Sequence, residues 1–176
     1  MAAADQFDGR TNCRGLSLIL AQLIRAYNIK AFHITCYPYE DPFEDCHVVV
    51  AVYSEHLGKW IMLDPTNNLY LKNAEGRIVC VDESREILIS GGKLTAYWKD
   101  EILNEEFHDM YRNYMAKNLI RIMRDADAGY GSDYHQYARE GGGAHVTLMP
   151  EKYMNNEAKN LKSKPDGVFI TSKESF

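Results

Sequence analysis

The chain has 176 residues, of which 45% are hydrophobic and 26% charged, a composition typical of a folded domain with its own core. Its net charge of −5 leaves no basic excess to neutralise phosphates, which argues against nucleic acid as the main ligand. No apolar run approaches the ~18 residues that span a bilayer, and residues 1–5 lack the charged and apolar regions of a signal peptide.

The first predicted element is a helix that begins at Cys13, directly after Thr11 and Asn12, which both favour helix N-termini. Apolar residues then recur at helical spacing, at Leu16, Ile19, Leu20, Leu23, Ile24 and Tyr27. Counting back along this stripe from Tyr27 through Leu23, Leu20 and Leu16 reaches Cys13. The thiol is therefore predicted in the first turn, on the buried face, where free backbone N–H groups and the helix dipole favour the thiolate.

Three strands are predicted after this helix, at residues 31–37, 45–53 and 59–64. The second is rich in valine on both faces, which predicts a central strand, and the turn at residues 54–58 joins it to the third as a hairpin. A two-residue loop would place His47 directly opposite Asp64, and a four-residue loop would place them diagonally. Either loop brings both side chains to one face, and only an odd-length loop or a bulge would separate them.

Further strands and a second helix are predicted after the hairpin. Strands are expected at 69–71, 78–81, 145–149 and 168–171, a short helix or turn at 83–89, and a second helix from Asp100 to about Lys117. Residues 118–123 either extend that helix or begin a strand, and residues 125–144 are expected to form a mobile loop or a disordered segment. One helix followed by a run of antiparallel strands predicts an α+β fold, with the Cys13 helix packed on an antiparallel sheet.

Cys13, His47 and Asp64 are the predicted catalytic residues, as nucleophile, base and orienting acid. They form a working unit if the helix N-terminus packs against the face that carries His47. The Cys13 backbone N–H would then help to hold an oxyanion, with Gln6 as a candidate second donor. The structural alternatives are a small core cysteine, a hydrogen-bonded core histidine and a turn-forming aspartate before a proline.

The other candidate residues are interpreted as structural. Trp60 and Met62 alternate with Asp64 and either wall a cleft or fill the sheet core. The residues interpreted as structural also include His33, Cys46, His56 and Cys80. Adjacent strand residues point apart and the cysteines lack ligand spacing, so a metal site built from Cys46, His47 and Cys80 is not favoured, and no metal or cofactor is expected.

The cysteines form no C-x-x-C pair and no regular framework, so free thiols in a reducing, cytoplasmic compartment are expected. One domain is expected over residues 1–176. Because only twelve residues precede the first helix, a domain truncated at its N-terminus is an alternative. No membrane partner is expected, and the oligomeric state is left open.

Three blocks within residues 11–73 together resemble the transglutaminase-like (papain-like) cysteine acyltransferase and protease superfamily. They are Asn12-Cys13-Arg14-Gly15 opening a helix that ends in Tyr27-Asn28-Ile29-Lys30-Ala31, Asp45-Cys46-His47-Val48-Val49-Val50, and Lys59-Trp60-Ile61-Met62-Leu63-Asp64-Pro65-Thr66. The resemblance implies a single transglutaminase core domain in which Cys13, His47 and Asp64 form a triad. It also implies a thioester intermediate formed on an amide.

Members of this superfamily transfer acyl groups to amines, hydrolyse peptide bonds, remove glycans from asparagine, or have lost activity. The resemblance therefore implies a peptidase, an amidase or a protein-glutamine acyltransferase, with a peptide or protein amide as substrate. Hydrolysis is favoured over transfer only because water is the default acceptor. The alternative function is a catalytically inactive module that binds a peptide or glycan.

Overall fold

The computed structural model describes residues 11–39, 45–125, 145–148 and 167–170. The prediction for Gln6 lies outside these ranges, as does the predicted loop at residues 125–144 apart from Asp125, which ends a strand. The helices are α1 (Cys13–Ala26), α2 (Val81–Ile89) and α3 (Glu105–Asn118). The strands are β1 (Ala31–Tyr37), β2 (His47–Ser54), β3 (Lys59–Asp64), β4 (Leu69–Lys72), β5 (Thr95–Trp98), β6 (Glu101–Ile102), β7 (Arg121–Asp125), β8 (His145–Leu148) and β9 (Gly167–Ile170).

All nine of these strands belong to one sheet, in the order β6-β5-β4-β3-β2-β1-β7-β8-β9. Neighbouring strands are antiparallel except β8 and β9, which are parallel. The predicted α+β class is therefore confirmed, while the expectation of a purely antiparallel sheet is wrong at this last pair. Among the described residues, no helix has the length and apolar character needed to cross a bilayer.

The central hairpin has the predicted face alignment. Ser54 pairs with Lys59 and Val50 with Leu63, so a four-residue turn connects β2 to β3 and places Asp64 one diagonal step from His47. Gly58 closes the turn with a φ of 63°, in the left-handed region that favours glycine. The even loop length keeps the His47 and Asp64 side chains on one face of the sheet.

Helix α1 covers the opposite face from His47. Its Ala21 packs with Val50 and Val52 of β2, which alternate with His47 along the strand. Helix α3 covers the His47 face, where its Tyr111 and Met115 join the larger core cluster with Val49, Met62 and Cys36. The predicted group of Cys13, His47 and Asp64 required α1 to pack on the His47 face, and this packing is not observed. Cys13 can therefore approach His47 only around the end of β2.

The buried face of α1 also differs from the predicted stripe. Its fully buried residues are Ser17 and Ala21, whereas Ile19, Leu23 and Tyr27 are 53%, 58% and 80% exposed. Small side chains let the helix approach the sheet closely, and the Ser17 hydroxyl donates a 2.8 Å hydrogen bond to the Val48 carbonyl. The predicted stripe is therefore buried only in part, because Leu20 and Ile24 pack against the core cluster with Ala21. Cys13 stays on this inner face, one turn before Ser17.

The elements after the hairpin include several corrections. Residues 78–81 do not form a strand, because Ile78 makes a single bridge to Lys72 and α2 begins at Val81. The predicted helix from Asp100 instead begins at Glu105, after the unpredicted strands β5 and β6. Lys99 and Asp100 turn this short hairpin with φ angles of 49° and 63°. Of the two alternatives left open for residues 118–123, the strand is correct, as β7.

Candidate active site

His47 and Asp64 are in direct contact in the interior. His47 Nε2 lies 2.7 Å from Asp64 Oδ2, and the two residues are 3% and 1% exposed. The hairpin register produces this contact, because a diagonal pair on neighbouring strands is within reach of an imidazole ring. The geometry is that of an acid orienting a histidine, and it leaves Nδ1 as the ring nitrogen available to a nucleophile.

Asp64 accepts four further hydrogen bonds. Its Oδ1 accepts the backbone N–H groups of Thr66 and Asn67 at 3.0 and 3.2 Å. Its Oδ2 accepts the Asn67 side-chain amide at 2.9 Å and the Tyr111 hydroxyl at 2.8 Å. Asp64 therefore stabilises the turn that follows it, as the structural alternative predicted, and is also the partner of His47.

These partners determine the ionisation of Asp64. Burial alone would raise the pKa of the carboxyl, but the hydrogen bond and charge of His47, with the bonds from Asn67 and Tyr111, hold that pKa below its usual value. Burial beside Asp64 also raises the pKa of the Tyr111 hydroxyl well above its usual value, so this group remains a donor. The carboxylate is thus kept charged at neutral pH.

Tyr114 of α3 packs against the other side of the imidazole. Its ring meets the His47 ring edge-on, with centroids 5.3 Å apart, and its hydroxyl donates to the Cys46 carbonyl at 3.4 Å. The imidazole is therefore held by a hydrogen bond through Nε2 and by an aromatic contact on its face.

Cys13 is the first residue of α1. Asn12 caps the helix, because its side-chain oxygen accepts the Gly15 N–H at 3.1 Å and its carbonyl accepts the Leu16 N–H at 3.0 Å. The N–H groups of Cys13 and Arg14 have no hydrogen-bond partner in the part of the chain that the structure describes. Free N–H groups in the first turn of a helix can donate to an anionic oxygen, and the Cys13 thiol in the same turn is half-buried.

Cys13 lies at the same end of the sheet as His47. The Ser17–Val48 hydrogen bond fixes the first turns of α1 over the start of β2, and Cys13 is one turn nearer that end. The pKa of the Tyr114 hydroxyl is raised to about 12, mainly by burial and to a smaller extent by the charges of Asp45 and Cys13.

Within the described residues, no hydrogen bond joins Cys13 Sγ to His47. The structure thus brings His47 and Asp64 together, and it brings Cys13 to their end of the sheet without closing the expected thiol–imidazole contact.

The remaining candidate residues are placed elsewhere. Met62 is fully buried core, and Trp60 lines a separate cavity of about 280 Å³ with Phe32 and Tyr53, towards the hairpin turn. Cys36 is buried, and burial raises the pKa of its thiol, as it does for Cys80. Across the described residues, no group of three or more His, Cys, Asp and Glu side chains is arranged to hold a metal ion.

The sequence did not indicate Asn67, Tyr111 and Tyr114. Asn67 follows Asp64 by three residues, and the Asp-Pro-Thr-Asn turn was a usable signal for its contact. Tyr111 and Tyr114 reach the site from a helix 47 residues or more beyond Asp64 along the chain, and no local pattern marks them.

Comparisons of this chain with protein-family models, with curated proteins and with solved structures find no match.

Proposed function

We propose that this protein is a cysteine enzyme of the transglutaminase-like, papain-like type, which acts on an amide bond through Cys13, His47 and Asp64. The observation that carries the proposal is the buried 2.7 Å contact between His47 Nε2 and Asp64 Oδ2, at the end of the sheet where α1 begins with Cys13. A histidine oriented by a carboxylate next to a thiol at a helix N-terminus is the arrangement that thiol acyl transfer requires.

The proposed reaction begins when the Cys13 thiolate attacks the amide carbonyl carbon, with its proton held by His47 Nδ1. The carbonyl oxygen becomes an oxyanion that accepts hydrogen bonds from the N–H groups of Cys13 and Arg14. His47 then protonates the departing amine as the C–N bond breaks, which leaves a thioester on Cys13. Water or an amine, deprotonated by His47, attacks the thioester, and the thiol is released with an acid or a new amide as product.

Alkylation tests the reactivity of the proposed nucleophile without a known substrate. Iodoacetamide at about pH 6 should modify Cys13 ahead of Cys36, Cys46 and Cys80, with the site read by peptide mass spectrometry. The raised pKa values of Cys36 and Cys80 make their thiolates scarce at that pH. His47→Ala should slow the alkylation of Cys13, with Cys80 as the internal reference. Equal labelling of all four thiols in the folded protein would count against the enzyme and for the inactive binding module.

Hydroxylamine tests the intermediate and the kind of amide. Incubated with peptides and with hydroxylamine as the acceptor, the enzyme should convert a susceptible amide to a hydroxamate through the thioester, and Cys13→Ser should abolish this product. Release of ammonia from glutamine side chains would identify an acyltransferase or amidase. Cleavage of the peptide chain would identify a peptidase.

A further inference from the structure

We propose that Cys46 is a resolving thiol for Cys13, so that peroxide converts the two residues to a reversible disulfide across the end of the sheet. The proposal rests on the proposed function in one respect, that Cys13 is the reactive thiol. It assigns a role to a cysteine that the catalytic reaction does not use.

The first argument is the alignment of α1 with β2. The helix and the strand run in the same direction, since Ser17 contacts Val48 and Ala21, further along the helix, packs with Val50 and Val52. Cys13 precedes Ser17 by four helical residues, a rise of about 6 Å. Cys46 precedes Val48 by two residues, about 6.6 Å of extended chain. Cys13 and Cys46 are therefore at the same position along the direction of β2.

The second argument is the side of the sheet. Alternation along β2 places Val48, Val50 and Val52 towards α1, and the same alternation continued by one step places Cys46 there as well. The Ser17 hydroxyl reaches the Val48 carbonyl directly at 2.8 Å, so helix and strand are closely apposed at this end. A disulfide requires Cα atoms about 4.4–6.8 Å apart, so the proposal requires α1 and the residue before β2 to approach to that distance one turn before the Ser17–Val48 contact.

The third argument is accessibility. Cys13 and Cys46 are both half-buried, whereas Cys36 is fully buried. Cys80 lies at the start of α2 and lines the cavity towards the hairpin turn.

The proposed chemistry needs only a peroxide as oxidant. The Cys13 thiolate attacks one peroxide oxygen, the O–O bond breaks, and the protein gains a sulfenic acid while the other oxygen leaves as water or an alcohol. The Cys46 thiolate then attacks the Cys13 sulfur, and the S–OH bond breaks with loss of water once the hydroxide is protonated. Two equivalents of a thiol reductant restore both cysteines by exchange and become a disulfide themselves.

Peptide mapping after peroxide treatment tests the pair. The full chain is treated with hydrogen peroxide, blocked with iodoacetamide and digested with trypsin and a glutamate-specific protease, because trypsin alone leaves Cys36 and Cys46 in one peptide. The expected product links the peptide of Cys13 to the peptide that begins after Glu44. Reduction should restore alkylation of Cys13 to its value before oxidation. A bond from Cys13 to Cys36 or Cys80, or no bond at all, would overturn the proposal.

Variants separate this proposal from the proposed function. In Cys46→Ser, Cys13 should oxidise to sulfinic acid and should not recover its reactivity on reduction, while Cys80→Ser, the matched control, should recover as the wild type does. Full recovery in Cys46→Ser would refute the role of Cys46. If Cys13 alkylates before oxidation but forms no bond to Cys46, this inference alone fails. If Cys13 does not alkylate at all, the proposed function fails with it.

Discussion

Asp64 illustrates how one residue satisfies a structural and a chemical demand together. Its Oδ1 closes the turn after β3 through the N–H groups of Thr66 and Asn67, and its Oδ2 faces His47. The sequence offered these as competing interpretations, a turn-former or a catalytic acid. The two oxygens of one carboxylate allow the turn and the contact with His47 together, because each binds a different set of donors.

Removing the Tyr111 hydroxyl should alter the charge balance at Asp64. Tyr111→Phe deletes one of the donors that stabilise the carboxylate, so the pKa of Asp64 should rise and the acid limb of the Cys13 alkylation profile should move to higher pH. A hydrogen bond to a charged group contributes about 1.5–3 kcal/mol, so urea unfolding should show a loss of that order.

Tyr114→Phe is the matched control for this prediction. It keeps the ring against His47 and deletes only the 3.4 Å bond to the Cys46 carbonyl, so the acid limb should remain in place. If Tyr111→Phe lost stability while its alkylation profile stayed unchanged, the hydroxyl would stabilise the fold without affecting the reactivity of Cys13.

At the scale of elements, the N-cap of α1 fixes the position of the thiol. Asn12→Ala should destabilise the protein by about 1 kcal/mol and should fray the turn that presents Cys13, which lowers the rate of alkylation. Asn104 caps α3 through a bond from the Phe107 N–H at 2.8 Å, so Asn104→Ala is a matched control with a similar cost. Rates that fell equally in both variants would indicate general loosening of the fold.

The sequence predicted those elements whose signals are local. Asn12 and Cys13 mark the start of α1, and two paired strands joined by an even-numbered turn, of two or four residues, predict the shared face of His47 and Asp64. The buried side of α1 was predicted only in part: Leu20 and Ile24 of the apolar stripe pack against the core, while Ser17 and Ala21 were not selected although they pack closely against β2. Strands β5 and β6 were missed because they are short and the turn between them resembles the start of a helix.

At the scale of the whole molecule, the candidate site depends on contacts distant in sequence. Helix α1 approaches from one face of the sheet, and α3 supplies Tyr111 and Tyr114 from the other, so the two layers meet at the end of β2. Such an arrangement depends on tertiary packing, which no single-segment pattern encodes. The core around Val49 and Met62 therefore serves to hold the two halves of the site in register.

The Asp64 carboxylate should also make the stability of the whole fold depend on pH. Its folded pKa lies below the usual value of 3.8, so its contribution is complete above that value and is lost as the pH falls through the folded pKa. The urea midpoint of the wild type should therefore fall as the pH is lowered from about 5 towards 2. Asp64→Asn should also be less stable at pH 7, by about 1.5–3 kcal/mol, because the buried Tyr111 hydroxyl and the Asn67 amide lose a charged acceptor.

The same variant should show a shallower decline in that acid window, because the titrating carboxyl is gone. Asp45→Asn is a suitable control, since Asp45 forms an exposed pair with Lys117 and such pairs contribute about 0–1 kcal/mol. Its midpoint should follow that of the wild type at each pH. An Asp64→Asn protein that declined as steeply as the wild type between pH 5 and 2 would show that other carboxylates govern acid unfolding, and that the buried contact with His47 adds little to the stability of the fold.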